Sequence, residues 1–368
     1  MKQNHFFSYF FLIICIAVIY NTIGCTSKKL NQINWNGKEY HLTGEVVHTN
    51  EPFIRGLSLP VIIENYVINK LWRFELNYSL SILRNDSLIY IGDFLSKGRG
   101  PAEMMIPTLD YITSYQQIVI SDHDNGEDKV IYIDASNIYN IFNIQTWEQK
   151  NIRHINGFVR IYPLPDYTFL GLLPYRNATH QMFYHIDTNG VNGLNILMPD
   201  DNSGITDPRV KRNAYRGSLK KHPCNSRFVY FSERNRFMHI FDFISDSLVS
   251  INTPYTDFPR YFVREGRNIS SNTNDYLGTI AIDVTDKYIY ILMNDATYYH
   301  LREDKLINGH PWNESNTIYV FDWDGIPIKK YILDHYVESF FIDSKEQYIY
   351  GNADAENGIE ILRYKIIP

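Results

Sequence analysis

The sequence predicts an all-β protein built as a six-bladed β-propeller, in which four-stranded antiparallel sheets, the blades, are arranged around an axis. The main observation is a run of three β-forming residues that returns at intervals of 52, 49, 61, 60 and 60 positions. A period of this length, carried by strand-forming residues, is typical of a radial array of small sheets. The six runs are Tyr66–Ile68, Ile118–Ile120, Tyr167–Phe169, Phe228–Tyr230, Tyr288–Tyr290 and Tyr348–Tyr350.

A second series of strand-forming runs follows the first one, one run in each repeat. Its members are Ser81–Leu83, Ile131–Ile133, Tyr184–Ile186, His239–Phe241, Tyr319–Phe321 and Glu360–Leu362. Asp187 and Asp322 directly follow two of these runs and lead into Asn-Gly and Asp-Gly pairs. Because such pairs supply the positive φ angles of tight hairpins, each repeat is predicted to be strand, turn, strand, loop, strand, tight turn and strand. That is one blade.

The aromatic content and the net charge of the chain limit the kinds of partner that it can bind. The chain has 29 Tyr and 21 Phe in 368 residues. Tyr and Phe fit the half-buried surfaces of sheets, and exposed aromatic rings also serve as platforms for sugars, so both roles stay open. The formal net charge is −6, with no long basic run. Since nucleic-acid binding depends on positive charge beside the phosphates, no nucleic-acid partner is expected.

Residues 1–24 are predicted to be a signal peptide. Lys2 supplies a positive charge, and Phe10–Tyr20 is an apolar stretch with the length of the hydrophobic region of a secretory signal. The segment Thr22–Cys25 resembles a bacterial lipobox, in which Cys25 is lipidated and becomes the first residue of the mature protein. Cys25 is therefore the predicted site of lipid attachment, and the membrane is the predicted partner of this anchor.

The remaining chain is divided into a tether over residues 25–39 and a propeller over residues 40–368. The segment Tyr40–His48 alternates in a way that suits an extra strand against the last blade. An uncleaved anchor helix over Phe6–Ile23 is the alternative to the signal, because it is long enough to span a bilayer. Either way the propeller lies outside the cytoplasm, in the cell envelope. The residues Thr26–Lys29 lack an acidic run, which favours a position facing the periplasm over the cell surface.

The two longest connections between repeats run over residues 203–223 and 257–275, and both are rich in Arg and Lys. Long loops on a rigid scaffold often carry binding residues, whereas solvated decoration is the alternative interpretation. A short helix is predicted within another loop, over residues 297–306.

The segment Lys97–Glu103 contains two glycines, a proline and two cations. Glycines allow a tight backbone path, and a cation beside exposed amides is suited to an anion. A phosphate-binding loop of the Walker type is excluded, because the Lys-Ser/Thr ending and the following helix are absent. Lys97 and Arg99 are therefore candidate ligand-binding residues.

The Gly-x-Gly-Pro-x-Glu pattern of this segment resembles the TolB-like six-bladed propeller lipoproteins of Bacteroidetes. The stretches Thr285–Tyr290 and Ile318–Pro327 are also similar to that family. The resemblance covers essentially the whole mature chain. It implies the fold and export from the cytoplasm, and it brings no catalytic residues to positions in this sequence.

The segment Asp122–Asp128 is the densest acidic cluster in the chain. Oxygen ligands at alternate positions around a glycine are suited to calcium, although a polar turn after a strand needs no ion. Asp122, His123 and Arg160 lie near predicted strand ends and join Lys97 and Arg99 as candidate ligand-binding residues at the mouth of the central channel. The alternative for each is a structural hydrogen bond. No cofactor is predicted, and calcium is the only metal considered.

Signatures of catalysis are missing from the sequence. It contains no sialidase box, no Gly-x-Ser-x-Gly elbow, no His-x-x-x-His pair and no pair of Cys residues with zinc spacing. We therefore expect a binding or scaffold module that holds a glycan or an envelope protein. The alternative is a carbohydrate-active enzyme, a lyase or hydrolase, that uses the channel mouth.

Overall fold

The computed structural model describes residues 35, 37–50, 60–71, 75–84, 86–122, 128–174, 179–265, 268–294, 296–308, 313–355 and 358–367. The predicted signal peptide, Cys25 and most of the predicted tether lie outside these residues. From Gly37 onward the described residues belong to one unit.

This unit is built from six four-stranded antiparallel sheets. Three short strands come first, namely β1 (Lys38–Leu42), β2 (Gly44–Val46) and β3 (His48–Thr49). The first sheet contains β4 (Val61–Ile63), β5 (Tyr66–Lys70), β6 (Leu76–Arg84) and β7 (Ser87–Ser96). The second contains β8 (Pro107–Ile112), β9 (Gln117–Asp122), β10 (Lys129–Asp134) and β11 (Glu148–Asn151). The third contains β12 (Phe158–Pro163), β13 (Phe169–Pro174), β14 (Phe183–Ile186) and β15 (Val191–Gly193).

The second half of the unit repeats this plan with longer insertions. The fourth sheet contains β16 (Gly217–Lys221), β17 (Arg227–Ser232), β18 (Arg236–Ile244) and β19 (Ser247–Asp257), and a hairpin of β20 (Tyr261–Val263) and β21 (Ile269–Ser271) follows it. The fifth sheet contains β22 (Thr279–Val284), β23 (Tyr288–Met293), β24 (Ser315–Asp322) and the first part of β25 (Pro327–Ile342). The sixth contains the second part of β25, then β26 (Tyr348–Ala355), β27 (Gly358–Lys365) and β2.

Helices occur only in the connections of the described chain. α1 (Pro208–Ala214) precedes the fourth sheet, and α2 (Tyr298–Asn308) lies between β23 and β24, where the sequence predicts a short helix. Short 3₁₀ turns occupy other connections, at Thr113–Tyr115, Ile138–Phe142, Ile144–Thr146, Ile155–Gly157 and Pro165–Tyr167.

The predicted all-β, six-bladed architecture is confirmed. The first series of runs forms the second strand of each sheet, and the second series forms the third strand. Tyr167 and Thr168 are an exception, because Tyr167 belongs to the 3₁₀ turn before β13 and Thr168 is the residue that ends this turn. The aspartates that follow the third strands make the turns: the carboxylate of Asp187 accepts hydrogen bonds from the amides of Asn189 at 2.7 Å and Gly190 at 2.8 Å.

The core lies between neighbouring sheets. Leu80 of the first sheet and Ile131 of the second belong to one buried cluster, and Leu292 of the fifth sheet and Ile349 of the sixth belong to another. Burying such side chains drives each sheet to pack against the next one.

The N-terminal strands close the ring. β2 pairs antiparallel with β27 as the outermost strand of the sixth sheet, in agreement with the predicted role of Tyr40–His48. The structure adds two pairings that the sequence did not predict. β1 lies parallel to the first part of β25 on the fifth sheet, and β3 lies parallel to β7 on the first sheet. One short segment thus links three sheets.

Candidate functional site

The strand order places two kinds of connection on opposite faces of the propeller. In each sheet the first strand is innermost and the strands alternate in direction. Connections between the second and third strands, and between one sheet and the next, therefore share one face, here called the upper face. The other hairpins share the lower face. Both helices and the β20–β21 hairpin belong to connections of the upper face.

A cavity of about 490 Å³ lies on the axis of the ring. This volume is in the range of small-molecule sites. Residues of the upper-face connections, including Arg234 and Tyr298, also line the cavity, so it lies at the upper end of the axis. All six sheets contribute to its wall, with one residue of each being Val61, Asp110, Arg160, Lys220, Asp283 and Glu338.

Besides Arg234 of an upper-face connection, three cations line this cavity from the strands of different sheets. Lys70 ends β5, Arg160 lies in β12 and Lys220 lies in β16, and the side chains of all three are half-buried. The Lys70 ammonium donates a hydrogen bond to the carbonyl oxygen of Pro107 at 2.8 Å. Burial and the nearby Arg160 guanidinium lower the pKa of Lys70. Because like charges disfavour each other, this part of the cavity is suited to an anion.

Four carboxylates of the described chain line the same cavity, namely those of Asp110, Glu233, Asp283 and Glu338. Asp110 and Asp283 lie on first strands, β8 and β22. Burial raises the pKa of Asp110 to about 6, even though Lys220 and Arg160 act in the opposite direction. Burial also raises the pKa of Asp283, against the effects of Lys220 and of a hydrogen bond from the amide of Ile342 at 2.8 Å. Lys220 therefore acts on the pKa values of both Asp110 and Asp283.

Two tyrosines complete the surroundings of Asp110. Burial and the charge of Asp110 raise the pKa values of Tyr78 and Tyr162, so both phenols stay protonated at neutral pH. Around the axis, the second to fifth sheets thus present an acid, a guanidinium, an ammonium and an acid in that order. This arrangement has the means to bind a polar ligand at both its negative and its positive groups.

Of the five predicted ligand-binding residues, the structure places Arg160 in the cavity wall. Asp122 is buried, and its carboxylate accepts hydrogen bonds from the amides of Met105 at 2.9 Å and Ile106 at 3.0 Å. It therefore holds the connection between the first and second sheets. His123, like Cys25, lies outside the described residues.

The glycine-rich segment also makes this connection. The amide of Gly100 donates to the carboxylate of Glu103 at 2.8 Å, and a Cβ atom on Gly98 would collide with that carboxylate. The buried Lys129 ammonium donates to the carbonyl oxygens of Gly100 at 2.7 Å and Glu103 at 2.9 Å. The glycine pattern thus fits the packing of one loop. Lys97 and Arg99 are exposed on it, outside the cavity wall.

The predicted calcium cluster is described only at its ends, Asp122 and Asp128. Within the described ranges, no group of three or more His, Cys, Asp or Glu side chains is arranged to hold a metal ion. Among the same residues, no helix has the length and apolar character needed to cross a bilayer.

Comparison with known proteins identifies the family. Residues 69–345 match the family described as TolB-like 6-blade propeller-like. The chain belongs to this TolB-like propeller family. The family assignment agrees with the six sheets around one axis. No curated protein matches the sequence.

Solved structures similar to this TolB-like propeller come from distant proteins. A member of the DUF4221 family from Bacteroides vulgatus is 12% identical with a TM-score of 0.49, and the match covers 90% of this chain and 94% of that one. The β-propeller domain of Cps50 (Swd1) from Myceliophteria thermophila is 8% identical with a TM-score of 0.43, covering 88% and 100%. A functionally unknown protein from Desulfotomaculum acetoxidans is 11% identical with a TM-score of 0.42, covering 82% and 80%. At such identities nothing about function passes to this chain.

Sequence reasoning missed most of the charged residues of this TolB-like propeller's cavity. Lys70, Asp110 and Asp283 were not singled out, and Lys220 was noted only as one of many cations in a long loop. A signal was nevertheless present. In two of the first strands, β8 and β16, polar residues alternate with apolar ones, as in Thr108–Asp110 and Ser218–Lys220, and these polar residues line the cavity.

Proposed function

We propose that this TolB-like propeller is a binding module of the cell envelope that captures a small polar ligand in its axial cavity. The observation that carries this proposal is the convergence of charged side chains from several sheets on one cavity of suitable size. A propeller gathers its core between the sheets, so charges at the axis are not needed for packing. Perturbed pKa values at Lys70, Asp110 and Asp283 are also typical of functional sites.

The proposal includes a lipid anchor at Cys25 and a position facing the periplasm. The family assignment supports a location in the envelope, since TolB-like propellers are typically extracytoplasmic. Several acyl chains would hold the protein firmly, whereas one chain gives only marginal attachment. The Cys25→Ala variant should appear in the soluble periplasmic fraction, and retention of this variant in the membrane pellet would indicate an uncleaved anchor.

Native mass spectrometry of the full-length protein, purified from its own membrane, tests the binding role. We expect a bound species of a few hundred daltons that disappears in Ser218→Trp. Ser218 lines the cavity, so an indole at this position occupies space that the ligand needs. Ser136→Trp is the matched control, since Ser136 is exposed on a turn of the lower face. A bound species that persists in Ser218→Trp would rule out the cavity as its site.

A carbohydrate-active enzyme is the second candidate function. The observation that favours it is Asp110, because a carboxyl group with a pKa of about 6 is suited to general acid catalysis near neutral pH. Glycosidases place two carboxyl groups about 5 to 9.5 Å apart, and Glu233, Asp283 and Glu338 are the other carboxylates that line the cavity. Release of reducing ends from envelope glycans by wild-type protein, lost in Asp110→Asn, would establish the enzyme and displace the binding module.

A further inference from the structure

The charges in the axial cavity are close enough to influence one another, yet they are not paired. Lys220 and Arg160 both act on the pKa of Asp110. Among the described residues, however, the side chains of these three groups form no hydrogen bond or salt bridge. Half-buried ionic groups are normally paired or hydrogen-bonded. Their open donors and acceptors therefore point to a partner that is not part of the chain.

Two of the cations that line the cavity lie next to each other around the axis. Arg160 and Lys220 lie on the innermost strands of neighbouring sheets, β12 and β16, which contact each other. Lys70 contributes a third positive charge near Arg160. A guanidinium presents a planar fork of donors that matches a carboxylate or a phosphate, and an ammonium adds a point charge with three further donors.

The negative groups lie on either side of this pair. Asp110 belongs to the sheet before Arg160, and Asp283 belongs to the sheet after Lys220. Carboxylates in these positions accept hydrogen bonds from hydroxyl groups. The wall thus places two neighbouring cations, which can hold an anion, between two carboxylates that can hold the polar body attached to it.

We propose that the cavity binds a small hydroxylated organic anion, such as a sugar acid or a sugar phosphate, with Arg160 and Lys220 holding the anionic oxygens. This assignment rests on the proposed binding function and names the chemical class of its ligand. Asp110 and Asp283 accept hydrogen bonds from the hydroxyl groups of the same molecule. The anion also reduces the repulsion between Lys70 and Arg160.

Isothermal titration calorimetry of the full-length protein in detergent tests this assignment. The probes are D-glucuronate, glucose 6-phosphate and the neutral sugar glucose, at constant ionic strength. We expect at least one anion to bind at least tenfold more tightly than glucose, and the stronger of the two shows whether carboxylate or phosphate is preferred. Arg160→Gln and Lys220→Gln should each weaken that binding at least tenfold.

Arg84→Gln is the matched control, because Arg84 is exposed at the lower-face end of β6. It should bind the anion like wild type. Arg160→Lys keeps the charge without the fork and should bind with intermediate affinity, which separates loss of charge from misfolding. Glucose binding as tight as that of the anions, or no binding of either anion, overturns the anion assignment. Neither result contradicts the proposal that the cavity is a binding site, which the Ser218→Trp experiment tests separately.

Discussion

Replacing Asp110 by asparagine should stabilise the protein at neutral pH. Burial raises the pKa of Asp110 from the ordinary value of 3.8 to about 6, so the ionised form is disfavoured in the folded state. A difference of this size corresponds to about 3 kcal/mol. Because Asp110 is half-buried and faces a cavity that admits water, solvent screening reduces the expected effect to about 1–2 kcal/mol.

The sign of the effect depends on pH. In the unfolded chain Asp110 ionises near 3.8, whereas in the folded protein it ionises near 6. Between these values the folded state binds more protons, so this residue lowers stability as the pH rises from about 4 to 6, and the loss persists above pH 6. An asparagine does not ionise, so it makes no pH-dependent contribution to the free energy of unfolding. The variant should therefore match wild type at pH 4 and exceed it at pH 7.5.

Urea unfolding followed by tryptophan fluorescence at pH 4 and pH 7.5 measures this difference through the midpoint concentration. The melting temperature at pH 7.5 should rise by roughly 2–4 °C. Asp286→Asn is the matched control, because Asp286 is exposed on a lower-face turn. A gain of equal size at both pH values, or a loss at pH 7.5, would refute the reasoning.

Three further outcomes are expected. Asp122→Ala removes the acceptor of two backbone amides and should cost about 2–3 kcal/mol in urea unfolding; a cost below about 1 kcal/mol would contradict its role in the loop. Deleting residues 38–46 removes β1 and β2 with the buried Leu42, and should cost at least about 5 kcal/mol. Hydrogen exchange should then accelerate first in β27, and unchanged protection there would show that the ring closes without them. Binding of D-glucuronate, whose carboxylate stays ionised over this range, should tighten roughly threefold to tenfold as the pH falls from 7.5 to 5.5, since protonating Asp110 removes a negative charge beside the ligand. Calorimetry of Asp110→Asn with the same probe should show no such dependence.

The strands that the sequence predicted are those whose environment is the same in every blade. Second and third strands are buried on both faces, as in β9 and β17, so they read as continuous apolar runs. First strands line the cavity on one side, and β4 has only three residues. Outer strands such as β15 are exposed. Their patterns are therefore weak, and their positions followed only from the repeat.

The site was harder to predict for a related reason. The conspicuous pattern at Gly98 and Gly100 reflects a steric demand within one loop, where the carboxylate of Glu103 occupies the space that a Cβ atom would need. Such a demand fixes residue types and so produces a recognisable motif. The cavity residues meet only through closure of the ring: Asp110, Arg160, Lys220, Asp283 and Glu338 follow one another at intervals of 50, 60, 63 and 55 residues. The alternation within a single first strand does not show that these positions converge.

The charged residues of the axial cavity do not contribute to stability in the way that the residues between the sheets do. Asp110 lowers the stability of the folded protein at neutral pH, and Lys70 and Arg160 repel each other across the cavity. These charged side chains are not members of the buried clusters that hold the blades together between the sheets. Arrangements that reduce stability are typical of functional sites, where a ligand supplies the missing interactions. The charges at the axis therefore support the proposed binding of a polar ligand in this cavity.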